Sequence, residues 1–375
     1  MPRVADALRG LKLSANEIAQ RSRLPLDRVQ MMLGGSSADM AELRALSTGL
    51  RVPLHLFAAK SASPGRSEIL NPLFRDVREA SLSFDITVEK IAVFVEAALE
   101  LLPIRTELPE WLHLFEVKTQ TYVEADSISK IFRGFSDLTE DEPVNALPTI
   151  LGRLDGVVIC RLNYSKYEGV SLIAGNYCFI FVSPRFQGRM LFTVAHELGH
   201  IIAHHKARET AVFETASKIG SFGRFSKEEA FVDAFASCLL LPDVGIGRSI
   251  STFREHYNIK SSVVSDFEIL LVASFYGVSF QVAARRCEDL SLLPRGLSHK
   301  LYENIRHNFG TPEKRAQALG VPPRQKIEFP TVSLTLASAI SKALNSGESS
   351  IGWISDRLGL TLGEILSIGI KVDAT

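Results

Sequence analysis

His196-Glu197-Leu198-Gly199-His200 sets two imidazoles four residues apart with a glutamate beside the first. At about 100° per residue, positions i and i+4 share one face of a helix, so both rings reach a common point and the acid lies next to it. This is the H-E-x-x-H arrangement, in which two histidines grip one zinc ion and the glutamate handles the proton of an attacking water. The chemistry implied is hydrolysis of an amide. Met190-Leu191-Phe192-Thr193-Val194-Ala195 runs into the motif without a proline and Ile201-Ile202-Ala203 continues it, which predicts a largely apolar, buried helix around the two rings.

A hydrolytic zinc site has three protein ligands and a fourth position open to water. The metzincin extension is excluded, because Ala203 and Lys206 stand where it needs glycine and histidine. A second helix, beginning near Ser226, offers Glu229 and, one turn on, Asp233. A carboxylate on the metal and another behind it, holding the far N–H of a ligand histidine, would suit that pair. Glu229 is therefore the expected third ligand and Asp233 its supporting partner. Glu228 competes locally, but Val232 stands four residues after it. His204, one turn beyond His200, is a candidate substrate or oxyanion contact, with a rim position as the plainer alternative.

Arg189 through His200, the Glu229 to Asp233 helix, and its ending Phe235-Ala236-Ser237-Cys238-Leu239-Leu240-Leu241-Pro242 together resemble the ImmA/IrrE family of zinc metallopeptidases. Leu154 to Ile159 and Tyr177 to Val182 read as strands bounded by Gly and Asn, similar to the small sheet that precedes the zinc helix in that family. Phe267 to Ser279 resembles its small helical unit. The resemblance covers about residues 140 to 290. It implies a single-zinc endopeptidase with His196, His200 and Glu229 on the metal and Glu197 as general base. It also suggests a substrate that is itself a repressor-type DNA-binding protein.

The N-terminal stretch reads differently. Ser14 can cap a helix over Ala15 to Arg21, and Pro25 opens a second helix through Leu33 that Gly34-Gly35 stops. With the helix from Met40 to Leu50, this stretch resembles the Xre/Cro helix-turn-helix domain, although Arg23 stands where that family commonly has glycine. Residues 1 to 66 carry 10 Lys and Arg against 5 Asp and Glu, a charge of +5, while the whole chain is neutral at 42 against 42. A basic module on a neutral protein suits phosphate contact, with Arg28 and Gln30 as the candidate DNA-binding residues. The alternative is a protein-interaction or dimerisation unit, and a homodimer is kept as an option.

The expected fold is α+β and mostly helical. It comprises a helix-turn-helix bundle (1–66), a helical connector (67–139), a zincin-like peptidase domain with a small sheet (140–290) and a C-terminal helical region (291–375). The run Ser61 to Ser67 is the candidate linker. Val332 to Leu344 and Ile351 to Ile368 read as helices of a small appendage, a second helix-turn-helix being the other option; no internal repeat is evident. Met1-Pro2-Arg3 is followed by charge rather than an apolar core and no apolar run approaches a membrane span, so the expected location is cytoplasmic. Four cysteines without C-x-x-C spacing read as buried, reduced thiols. Expected partners are a protein substrate and DNA, with no membrane. The competing function is a DNA-binding regulator whose zinc domain senses or docks without proteolysis.

Overall fold

Ser14 accepts a hydrogen bond from the Glu17 amide while Glu17 takes one from the Ser14 amide, so the expected cap is a reciprocal box. The computed structural model describes residues 3–11, 13–58, 85–163, 165–204, 211–215 and 226–372; the linker run 61–67 lies outside the described residues. The N-terminal unit comprises α1 (Arg3–Gly10), α2 (Ala15–Ser22), α3 (Leu26–Leu33), α4 (Met40–Leu50) and α5 (Leu54–Ala58). Arg23, between α2 and α3, has φ 57°, a left-handed conformation that glycine adopts more readily. At Gly49 a Cβ would lie 2.3 Å from the Arg21 carbonyl oxygen, so only glycine lets α4 cross α2 this closely. Leu8, Ile18, Val29, Met32, Leu46 and Leu50 form the unit's core, which also takes in Ile86 and Val93.

Those two residues belong to α6 (Ile86–Leu101), which is followed by a 3-10 turn (Glu110–Leu114), α7 (Tyr122–Phe135) and α8 (Leu147–Arg153). The sheet has β1 (Val157–Arg161), β2 (Tyr167–Ala174), β3 (Tyr177–Val182) and β4 (Val212–Thr215) in the order β1-β3-β2-β4. β1 runs parallel to β3, and the β2 pairings are antiparallel. The strand expected over 154–159 begins at Val157, because Gly156, at φ 70°, still belongs to the preceding turn. β2 and β4 were not expected. Gly169 and Ser171 interrupt the apolar pattern of β2, and β4 spans only four residues.

After the sheet come α9 (Gln187–Ala203), α10 (Lys227–Leu240), α11 (Asp243–His256), α12 (Asp266–Phe275), α13 (Phe280–Asp289), α14 (Leu297–Phe309) and α15 (Pro312–Ala318). Then follow α16 (Leu334–Ser346), α17 (Ile351–Leu358) and α18 (Leu362–Val372). Alternation along the strands builds a core on each face of the sheet, beside that of the N-terminal unit. Val157, Ile159, Cys178, Ile180 and Val182 pack with α7 and α9 to α13. Val158, Cys160, Val170, Leu172, Phe179 and Phe181 pack with α6 and α16 to α18. The four cysteines are free and buried. Among the described residues no single helix is long and apolar enough to cross a membrane.

The helix expected over 351–368 is two, because Gly359 turns left-handed at φ 64° and Thr361 starts the next helix by accepting from the Glu364 amide. The pair α17–α18 repeats the length of the first helix and the three-residue turn of α2–α3 at a displacement of 336 positions (351 against 15). Gly359 matches Arg23, and buried Ile354, Ile365 and Ile368 match Ile18, Val29 and Met32. The repeat is one of spacing, with few shared residues beyond Leu24 and Leu360 or Leu26 and Leu362.

Candidate metal centre

α9 lies between the sheet and α10, and its burial is nearly complete. His196, Glu197 and His200 are at most 2% exposed. Gly199 faces α10, where a Cβ would sit 3.0 Å from Val232 Cβ and 3.1 Å from Phe235 Cδ1, so the smallest residue permits the close crossing of the two helices. α10 begins where expected, with the Ser226 hydroxyl accepting from the Glu229 amide. This fixes Glu229 in the first turn, directly opposite the histidines.

The two imidazoles present their Nε2 atoms to each other at 3.2 Å. Glu229 Oε2 lies 3.4 Å from His196 Nε2, and Oε1 3.7 Å from His200 Nε2. Three donors around a tetrahedral zinc with bonds of about 2.0–2.1 Å would stand roughly 3.3–3.4 Å apart, so the donor set fits that ion in kind and in spacing. The far nitrogens are also engaged. His196 Nδ1 lies 2.9 Å from Asp233 Oδ1, a contact suited to a ring that carries its proton on Nδ1 and offers Nε2 to a metal. His200 Nδ1 lies 3.0 Å from His204 Nδ1. Burial disfavours charge on His196, yet the Asp233 and Glu229 carboxylates prevail and lift its pKa to about 10. The pocket therefore favours positive charge at the point where a dication would sit.

Glu197 points from α9 toward β2, where the buried Ser171 hydroxyl donates to its Oε2 at 2.6 Å. At Gly169 an added Cβ would stand 2.1 Å from Glu197 Oε1, so the strand leaves room for the carboxylate only because this residue is glycine. Neither residue was found by sequence reasoning. The available signal was their i, i+2 spacing, which puts two small residues on one strand face. Glu228 is not among the clustered donors. His204 is buried behind His200 rather than at a rim, 7% exposed, and its ring touches the Nδ1 of His200.

In the N-terminal unit, Arg28 is held by its neighbours: Nε lies 2.5 Å from Glu42 Oε1, and Nη2 donates to Glu42 Oε2 at 2.9 Å and to the Ser37 carbonyl at 2.6 Å. Gln30 is exposed on the same helix. These two residues lie in a different unit from the metal cluster.

No curated protein matches this chain. Residues 155–288 match the family model described as the IrrE N-terminal-like domain, Peptidase_M78, and this span includes β1 to β4, α9 and α10 and therefore every member of the cluster, so the central part of the chain is similar to a metallopeptidase domain.

Proposed function

We propose that the chain is a zinc-dependent endopeptidase acting on a repressor-type DNA-binding protein, and that its N-terminal unit is a helix-turn-helix module that binds DNA. The observation that carries the first part is the convergence of His196, His200 and Glu229, all within 4.8 Å of one another, beside a buried glutamate. His196, His200 and Glu229 would hold the metal, and Asp233 and His204 would orient the two rings. Zinc, when bound, supplies Lewis-acid polarisation of a carbonyl and of water.

The protein's own contribution is proton handling. Glu197 accepts a proton from the attacking water and returns it to the leaving amine, the role of a positioned general base and then acid. Ser171 donates to Oε2 of this carboxylate, and Oε1 lies on the side of Gly169. The assignment of a DNA-binding regulator as substrate rests on the similarity of residues 155–288 and on the basic excess of residues 1–66 in the same chain.

The test is co-expression with repressor genes from the same genomic neighbourhood, followed by blotting for cleavage. The expected result is a cleaved repressor with the wild-type chain and an intact one with Glu197→Gln, whose zinc content stays stoichiometric. Cleavage that persists in zinc-loaded Glu197→Gln overturns the mechanism. Zinc binding without cleavage of any neighbouring repressor leaves the chain as a regulator.

A further inference from the structure

Where the N-terminal unit, the sheet and the C-terminal helices meet, four cationic residues line one cavity. Arg51 comes from the end of α4, Lys90 from α6, Arg161 from the end of β1 and Arg357 from α17. The cavity is open to solvent and measures about 40 Å³, with Ile91, Phe94 and Leu358 among its apolar walls. We propose that this cavity is a binding site for a phosphate group, carried by a small-molecule effector, that clamps the N-terminal unit to the body bearing the metal centre.

The argument is electrostatic. Lys90 Nζ donates to the Asn163 carbonyl at 3.2 Å, and Arg161 Nη2 to the Thr331 hydroxyl at 3.2 Å; both acceptors are neutral. Among the described residues the one carboxylate paired with this group is Glu364, whose oxygens lie 3.3 Å from Arg51 Nη1. With Arg161 exposed at the strand end, Arg51, Lys90 and Arg357 set three positive charges against one negative charge. Burial, with the charge of Arg51 adding to it, pushes the Lys90 ammonium down to about 8, the behaviour of a cation that lacks a counterion. Like charges gathered in a recess are costly unless an anion joins them, and a phosphate oxygen set accepts from ammonium and guanidinium donors together. A cavity of this size takes the phosphate group, and the remainder of such a molecule would lie outside it, at the solvent-open mouth. Because Arg51, Lys90 and Arg357 come from separate units, a bound anion would hold those units together.

The experiment uses the full chain and three probes at fixed ionic strength: pyrophosphate, adenosine monophosphate and a short DNA duplex. Binding is followed by calorimetry and thermal melting for the wild type, Lys90→Met, Arg357→Met and, as a control on α14, Arg306→Met. Wild type and control are expected to bind pyrophosphate or adenosine monophosphate saturably and to melt higher with it. Lys90→Met and Arg357→Met should each weaken that binding roughly tenfold or more, as loss of a charge-assisted contact does. Without any anion, Lys90→Met should melt at or above the wild type, since it removes a cation that has no counterion. Binding of the duplex alone, weakened by the same two variants, would assign the phosphate to a nucleic-acid backbone and overturn the small-molecule source. No saturable binding, or equal binding by all four proteins, overturns the site.

Discussion

Glu197 fits against β2 through both oxygens: the Ser171 hydroxyl donates to Oε2, and Oε1 occupies the place that a Cβ on Gly169 would need. Replacing it with glutamine keeps the side chain's size and one acceptor but removes its capacity to take a proton. Glu197→Gln is therefore expected to retain zinc by atomic absorption while turnover falls by about 10²–10⁴-fold, the usual worth of a general base. The ligands should behave in the opposite way. His196→Ala, His200→Ala and Glu229→Gln each lose the metal, whereas Glu228→Gln keeps it, and zinc loss confined to Glu228→Gln would unseat Glu229. Asp233→Asn, which leaves His196 Nδ1 beside a neutral partner, should cost about 10–100-fold in metal affinity in a competition titration with a chelator. At this scale the motif made His196, Glu197 and His200 legible, and the E-x-x-x-D spacing pointed to Glu229 and Asp233. Ser171 was not legible, because a serine in a short strand announces no partner until the strand is laid against a helix.

Elements set the distances that those side chains need. The crossing of α9 and α10 depends on Gly199, where a methyl would already press on Val232 and Phe235. Gly199→Val is expected to push α10 outward, carry Glu229 away from the histidines and lower zinc content in parallel with thermal stability. Gly169→Ala on β2 provides the contrasting case. Its methyl invades the space of Glu197 and leaves the ligands untouched, so zinc should be retained while hydrolysis falls; loss of zinc together with activity would show that β2 supports the metal as well as the base. Removing the metal should also be felt between elements. A chelator leaves two buried histidines and Glu229 without the cation that their cluster favours, and the melting temperature should fall on chelation and recover when zinc is restored. The caps were readable at this scale. Ser14 and Ser226 open helices because their hydroxyls satisfy first-turn amides. Gly359 was passed over, because a single glycine within an amphipathic run looks tolerable until its left-handed φ is seen.

For the molecule as a whole, charge separates the ends: residues 1 to 66 carry +5, and the remaining residues must carry −5 to leave the chain neutral. That partition was legible from composition. The second core was not, since it is assembled from α6 and α16 to α18 across most of the chain's length. If the basic unit binds DNA, affinity should fall steeply with salt, by about 0.9 in logarithmic slope for each phosphate contact. Arg23 and Arg44 are exposed, so Arg23→Ala and Arg44→Ala should each lower the slope by about 1 if they touch the backbone. Gln30→Ala should instead cost about 1–3 kcal/mol at the cognate site if the side chain reads a base. Arg28 is a more constrained reader, because Glu42 and the Ser37 carbonyl already hold its guanidinium. Glu42→Gln loosens that grip and removes a negative charge from the same surface, so it should tighten binding, while Arg28→Ala should weaken it. Polarisation titrations of the full chain on a duplex from its own upstream region measure all of these. Binding that is absent, or indifferent to salt, would make the N-terminal unit a protein-docking module, and a repressor substrate would then have to be recruited by direct contact rather than by a shared operator.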